Sequence, residues 1–348
     1  MHQIKLKGSA KAQGQAHGET FRRQIRELYE VRKLLVDSIF SGIAQDKIEQ
    51  LLQDQVTFLQ RFSRSYDEFE GIAHGSGLSL TELMALNNYT DFRDFVHAYQ
   101  KQGEDLGGCS LLAVRDHERC VSGQTWDMHA SATPYILHIE SEDPIPHHIL
   151  TVTGGMALAG VNAHGVSVFI NNMHCNETHI GIMWGALVKE MLLCESAKQA
   201  LDFLKVNLPC SGHNYLICDL DDSINVETTG KRFEVTYDSS EPGVVFHTNH
   251  YVSTLRETEV LSMQSKTTHA RHEALQNYFD QKRLSDLTYD TLVQDVFAGQ
   301  AVSAVCIRPT KNPEDASTCG GLICDLKARK GEIFAGLYTE GDVHTIQW

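Results

Sequence analysis

Apolar positions in the first hundred residues recur every three or four. Between 21 and 40 they fall at Phe21, Ile25, Leu28, Val31, Leu35 and Ile39, a spacing that lines one helix face. A second periodic stretch runs from about 46 to 62. Ser79-Leu-Thr-Glu82 is a capping box that opens a third helix reaching about 99. Little in this third of the chain predicts strand. The texture changes at the glycine-rich 103–108. Beyond it, short β-rich runs cover 110–114, 125–127, 136–139, 149–152, 158–161 and 166–170. The last two are joined by Asn162-Ala-His-Gly165, whose Asn and Gly suit a tight hairpin. Helical patterns at 182–193 and 197–206 precede a second group of strands at 215–218, 224–227, 233–237 and 244–248. Helices are then expected near 257–279 and 287–299, and strands near 301–307, 321–325 and 333–338. Strands and helices arriving in blocks predict an α+β chain of antiparallel sheets layered with helices, not alternating βαβ units.

Composition narrows the classes. With 348 residues, 42 % apolar and 22 % charged, the chain suits one large domain or two ordinary ones. A disordered, collagen-like or disulfide-scaffold protein is excluded. A net charge of −15 and the lack of a Lys/Arg-rich run argue against nucleic-acid or anionic-membrane partners. The longest apolar window, near 180–193, is interrupted by Lys189 and Glu190 and falls short of the roughly 18 residues of a membrane span. The first residues lack the apolar core of a secretory signal, so a soluble, cytoplasmic protein is expected. The nine cysteines are an odd number, expected to be reduced and mostly buried.

Common chemical signatures are missing: no GxxxxGK[ST], no GxGxxG after a strand, no HExxH and no GxSxG. Among 18 histidines, the pairs His147-His148, His174-Cys175 and His247/His250 have no recognised ligand spacing. Cys319-x4-Cys324 has no second pair. Neither a metal nor a cofactor is called for, though a histidine-rich metalloprotein stays open to a zinc assay. Gly107-Gly108-Cys109-Ser110 is different. A Gly pair leaves its carbonyls accessible and tolerates strained backbone. A thiol after it can attack the Gly108 carbonyl by N-to-S acyl shift, and water then frees Cys109 as a new N-terminus. Its α-amine, titrating near 7.7–8, is a base on the nucleophile's own residue. On those four residues alone, a loop entering a buried strand is the better reading.

Further residues change that balance. Trp126-Asp127 follows 17 positions after Cys109, within Ser-Gly-Gln-Thr-Trp-Asp-Met-His. Later come Asn162-Ala-His-Gly-Val-Ser-Val-Phe-Ile-Asn-Asn172, then His213-Asn-Tyr-Leu-Ile-Cys-Asp219 with Val226-Glu227, and Thr248-Asn-His-Tyr251. In this order the set resembles the acyl-coenzyme A:6-aminopenicillanic acid acyltransferase family. These are N-terminal-nucleophile cysteine hydrolases, with penicillin V acylase and bile-salt hydrolase as distant relatives. The resemblance covers nearly the whole chain.

It implies a four-layer αββα sandwich with a helical leader, cut autocatalytically between Gly108 and Cys109. Residues 1–108 would stay associated as a cleaved leader, and 109–348 would form the catalytic part. Cys109 would be nucleophile through sulfur and base through its amine. Asp127 would orient that amine and thiol, and Asn249 would donate to the oxyanion. Met128 and His129 would line the substrate pocket, while Asn162 reads better as a hairpin residue. The founding acyltransferase carries a functional arginine just before its late strand, and 313–319 holds none. Arg308 lies a few residues upstream.

The function so implied is self-processing amide hydrolysis of a small linear amide, an N-acyl amine or amino-acid amide, through a thioester. One alternative is acyl transfer from coenzyme A or an amide to an amine acceptor. Another is an uncleaved, non-catalytic binding protein of the same fold. Expected partners are the small-molecule amide or acyl donor, the chain's own cleaved N-terminal fragment and a possible second copy in a homo-oligomer.

Overall fold

The computed structural model describes residues 1–96 and 108–348. The expected helix end near 99 and the glycines up to Gly107 lie outside those residues. The N-terminal part opens with a strand, β1 (His2–Leu6), where sequence pattern predicted none. Five helices follow: α1 (Ala10–Thr20), α2 (Arg22–Ile39), α3 (Gln45–Leu59), α4 (Ser63–Ser76) and α5 (Leu80–Val96). Helices α1 and α4 escaped the periodicity because their shared seam is made of glycine rather than large apolar residues. A Cβ on Gly14 would stand 2.0 Å from the Glu68 carbonyl oxygen, and one on Gly75 would stand 2.4 Å from that of Gln15. On α2 the buried stripe is Ile25, Leu28, Arg32, Val36 and Ile39, one residue round from the predicted Val31 and Leu35, which are half-buried. The capping box of α5 is formed, with the Ser79 N–H donating to the Glu82 carboxylate at 2.8 Å and the Glu82 N–H to Ser79 Oγ at 3.2 Å. That helix breaks at Asn88, whose φ of −120° and ψ of 15° are not helical.

The remainder carries the strands β2 (Cys109–Arg115), β3 (Cys120–His129), β4 (Ile136–Ser141), β5 (His147–Val152), β6 (Ala159–Asn162) and β7 (Ser167–Asn172). After α6 (Trp184–Met191) and α7 (Ala197–Val206) come β8 (His213–Cys218), β9 (Ser223–Thr228), β10 (Phe233–Ser239) and β11 (Gly243–His247). Then follow α8 (Thr268–Asp280), α9 (Tyr289–Leu292) with a π turn at Val293–Phe297, and β12 (Ala316–Asp325), β13 (Lys330–Ala335) and β14 (Asp342–Gln347). The strand expected at 301–307 is instead irregular around a 3₁₀ turn at Ser303–Val305.

One sheet runs β1-β4-β5-β6-β7-β8-β9-β10 and the other β11-β2-β3-β12-β13-β14. The β1–β4 pair is parallel, while β2 lies antiparallel between β11 and β3. The sheets face each other. Ser122 Oγ lies 2.9 Å from Ser167 Oγ, and the Ile170 N–H donates to Gln124 Oε1 at 2.8 Å. Alternation along β2 sends Cys109, Leu111 and Ala113 into the core between the sheets. Leu112 and Val114 point the other way, onto Leu275 of α8 and Phe297 of the π turn. Helices α6 and α7 cover the far face of the first sheet, with α4 and α5 packed on α6. The order is helix, sheet, sheet, helix: an αββα sandwich with a helical N-terminal segment. Among the described residues no helix is long and apolar enough to cross a membrane.

Candidate active site

Cys109 begins β2 opposite Trp126 on β3, so this one pairing sets the Cys109 thiol beside the residues that follow Trp126. The Gly108 and Asp127 backbones exchange hydrogen bonds just beyond it. The Asp127 N–H donates to the Gly108 carbonyl at 2.6 Å, and the Gly108 N–H to the Asp127 carbonyl at 3.1 Å. The Cys109 N–H donates to Asn249 Oδ1 at 2.8 Å, and Asn249 Nδ2 donates to the Asn172 carbonyl at 2.8 Å. Asn249 lies two residues past β11, where its own N–H is fixed by Thr268 Oγ1 at 2.8 Å. The expected trio of Cys109, Asp127 and Asn249 is thus assembled from β2, β3 and the end of β11.

A fourth member escaped the sequence reading. Arg271 on α8 is fully buried and donates to the Cys109 carbonyl at 2.6 Å, to Ser110 Oγ at 3.0 Å and to Asn249 Oδ1 at 2.8 Å. Thr267 Oγ1 accepts from its Nε at 3.0 Å. The readable signal was its place in a helix stripe otherwise filled by Thr268, Leu275, Tyr278 and Phe279. An arginine there must be paired. Arg308, by contrast, is exposed and ion-paired with Glu340, and it reaches none of these residues. Glycine at 108 is a packing requirement, since a Cβ there would stand 2.3 Å from Arg271 Nη2 and 2.4 Å from Asn249 Oδ1.

Burial dominates the electrostatics. Asp127 is 1 % exposed; Thr318 Oγ1 donates to its Oδ1 at 2.7 Å, and its Oδ2 has no hydrogen-bond partner among the described residues. Burial pushes this carboxyl up to about 6, against the opposing pull of Arg271 and the Thr318 bond. The Cys109 thiol is raised to about 12, first by burial and then by the Asp127 charge. Arg271 and the backbone amides of Asp127 and Asn172 act the other way. The proton therefore rests on sulfur, beside a carboxylate more basic than usual.

Two cavities meet at Cys109. The larger, about 560 Å³, is mainly apolar and runs past Met156, Leu158 and Ile170 to Trp184 and Arg32. The smaller, about 420 Å³, leads past Asp127, His174 and Asn249. Both are lined by Trp126, Met128 and Thr90. Met128 lines both cavities, its sulfur accepting from the Tyr89 hydroxyl at 3.1 Å. His129 does not line either cavity; its Nδ1 lies 3.3 Å from Glu314 Oε2. Strand alternation turns His129 away from the side that Met128 faces, and, unlike Asp127, it lies three residues beyond the Cys109–Trp126 pair, past the end of both cavities. Asn162 closes the β6–β7 hairpin, its Oδ1 accepting from the His164 and Val166 amides at 3.0 and 2.9 Å. Among the described residues, no three His, Cys, Asp or Glu side chains cluster as a metal site.

The sequence model of the acyl-coenzyme A:6-aminopenicillanic acid acyl-transferase family matches residues 114–328. The chain belongs to that family. The span matched by the family includes Asp127, Asn249 and Arg271 and begins five residues after Cys109 (114 − 109). The chain is 26 % identical over 177 residues to the acyl-coenzyme A:6-aminopenicillanic-acid-acyltransferase 40 kDa form of Emericella nidulans. That match covers 50 % of this chain and 48 % of the relative, so the chain spans about half the length of this curated relative. Solved structures similar to it include a variant of the conjugated bile acid hydrolase from Clostridium perfringens, with TM-score 0.43 and 13 % identity over 69 % of this chain and 92 % of that one. Penicillin V acylase from Agrobacterium tumefaciens gives TM-score 0.40 and 14 % identity over 69 % and 86 %.

Proposed function

We propose that the chain is a self-processing N-terminal-cysteine amidohydrolase that cuts a small linear amide through a thioester on Cys109. The observation that carries this reading is the setting of the 108–109 link. Its carbonyl oxygen accepts from the Asp127 N–H, and its nitrogen is held by Asn249 Oδ1, with the carboxyl of Asp127 acting on the thiol. In the self-cleavage step Asp127 takes the thiol proton and sulfur bonds to the Gly108 carbonyl carbon. The Asp127 N–H stabilises the oxyanion that develops there. The C–N bond then breaks, the proton passes to the departing nitrogen, and water hydrolyses the thioester to a Gly108 carboxylate and a free Cys109.

In turnover the liberated α-amine replaces Asp127 as the base that takes the thiol proton. Asn249 Oδ1, already 2.8 Å from that nitrogen, orients it. Asn249 Nδ2 has one hydrogen on the Asn172 carbonyl and a second to offer the substrate oxyanion. Arg271 is a positioning residue, tying the Cys109 carbonyl to the Asn249 carboxamide and favouring negative charge on both Cys109 and Asp127. The larger cavity receives the acyl chain and the smaller one the leaving amine. Acyl transfer differs only in whether water or an amine resolves the thioester, and the family's name favours testing both.

The test is a panel of N-acyl amines and amino-acid amides offered to purified protein, with intact mass followed during turnover. The account expects amine release and an acyl adduct on Cys109 that hydroxylamine removes. Turnover in a Cys109→Ala variant would refute it.

A further inference from the structure

The larger cavity holds a cation that the proposed chemistry does not use. Arg32 sits in the apolar stripe of α2 and is 6 % exposed. Its Nη1 donates to the Leu86 carbonyl, at 2.5 Å, just before the break in α5 at Asn88. Its guanidinium carbon stands 4.9 Å above the Tyr89 ring. The groups acting on its charge are Tyr89 and Cys319; among the described residues no carboxylate is paired with it. A guanidinium has five N–H donors and cannot shed its proton in a protein. Holding one in an apolar cavity without a counter-charge is costly unless something supplies the anion. The same cavity is lined by Trp184, whose indole Nε1 is buried without a partner among the described residues, and it opens on Cys109.

We propose that this arrangement is a subsite for a carboxylate at the far end of the substrate's acyl chain, received by Arg32. The inference rests on the reading of Cys109 as the nucleophile and adds the acyl class: half-amides of linear dicarboxylic acids. Planar guanidinium and carboxylate match in a charge-assisted, bidentate contact. The apolar walls around Met156, Leu158 and Ile170 suit the methylenes between the two ends. The net charge of −15 does not oppose this at close range, because salt screens exposed charges beyond about 10 Å.

The experiment pairs succinyl, glutaryl, adipyl and suberyl 4-nitroanilides with neutral acyl anilides of matched length. The ratio of kcat/KM within each pair is read for the parent, Arg32→Met and Arg32→Lys. That ratio is insensitive to a general loss of activity caused by freeing the Leu86 carbonyl. The expected result is a preference of at least about tenfold for one carboxylated length, equivalent to ~1.4 kcal/mol. Arg32→Met should abolish it and Arg32→Lys retain part. Parity in the parent, or an undiminished preference in Arg32→Met, overturns the proposal. Calorimetry of adipate against hexanamide on the uncleaved Cys109→Ala chain reads the subsite without turnover. Arg32-dependent adipate binding with no amide cut would uphold the subsite and defeat the amidohydrolase reading. Neutral amides cut with no adipate binding would do the reverse.

Discussion

The Asp127 carboxyl makes a prediction about stability that is separate from activity. Its folded-state titration lies at about 6 against the usual 3.8, because burial disfavours the charged form and Oδ2 has no partner among the described residues to offset it. Between those values the folded chain binds a proton that the unfolded chain has released, so stability falls as pH rises through that window. At 1.36 kcal/mol per pH unit, the full loss is about 3 kcal/mol, of which roughly 2 kcal/mol falls between about pH 4.5 and about pH 7.5. Asp127→Asn removes the titration. The carboxamide keeps an acceptor for Thr318, and any cost of its unpartnered N–H does not vary with pH. The assay is urea unfolding of Cys109→Ala and of Cys109→Ala/Asp127→Asn at both pH values, with the Cys109 change keeping each chain uncut. The double variant should gain about 2 kcal/mol on the single one as pH rises. If the difference between the two is the same at both pH values, Asp127 is not the buried, late-titrating carboxyl described here.

Self-cleavage itself should slow as pH falls through about 6, where Asp127 takes up its proton, and Asp127→Asn should lose that limb along with most of the rate; fragment formation on a gel against pH reads both. Gly108→Ala should leave the chain uncut, since its Cβ would press on Arg271 and Asn249; normal fragments would show that the packing there yields. Cys109→Ala should abolish cleavage, while Cys120→Ala, at a thiol buried against the Asp219 carbonyl, should cleave and turn over normally. Asn249→Ala should fold and lose about 10²–10³ in kcat, as removal of an oxyanion donor does; unchanged kcat would take it out of that role.

What the sequence disclosed depended on how each feature announces itself. Cys109, Asp127 and Asn249 were legible because each follows a recognisable neighbour, and β2 and β3 bring the first two together by simple pairing. The Asn162–Gly165 hairpin was legible from turn chemistry, with Gly165 at a φ of 85°. Helices α1 and α4 were not, because Gly14, Gly18, Gly71 and Gly75 let two backbones touch without an apolar stripe. Strand β1 alternates a half-buried side with an exposed one beside β4 and has too few apolar residues to stand out. Arg32 and Arg271 were missed for a shared reason. Periodicity treats a charged residue as an outward one, yet both lie in buried helix stripes. A charge in an otherwise apolar stripe is the pattern that would have exposed them.

The central claim is that the working nucleophile and its base are liberated together by the chain's own chemistry. N-terminal sequencing of the larger fragment from purified, active protein measures this directly. The account predicts a sequence beginning Cys-Ser-Leu-Leu, from Cys109 onward. Full amide turnover by a chain whose 108–109 bond is unbroken would contradict it.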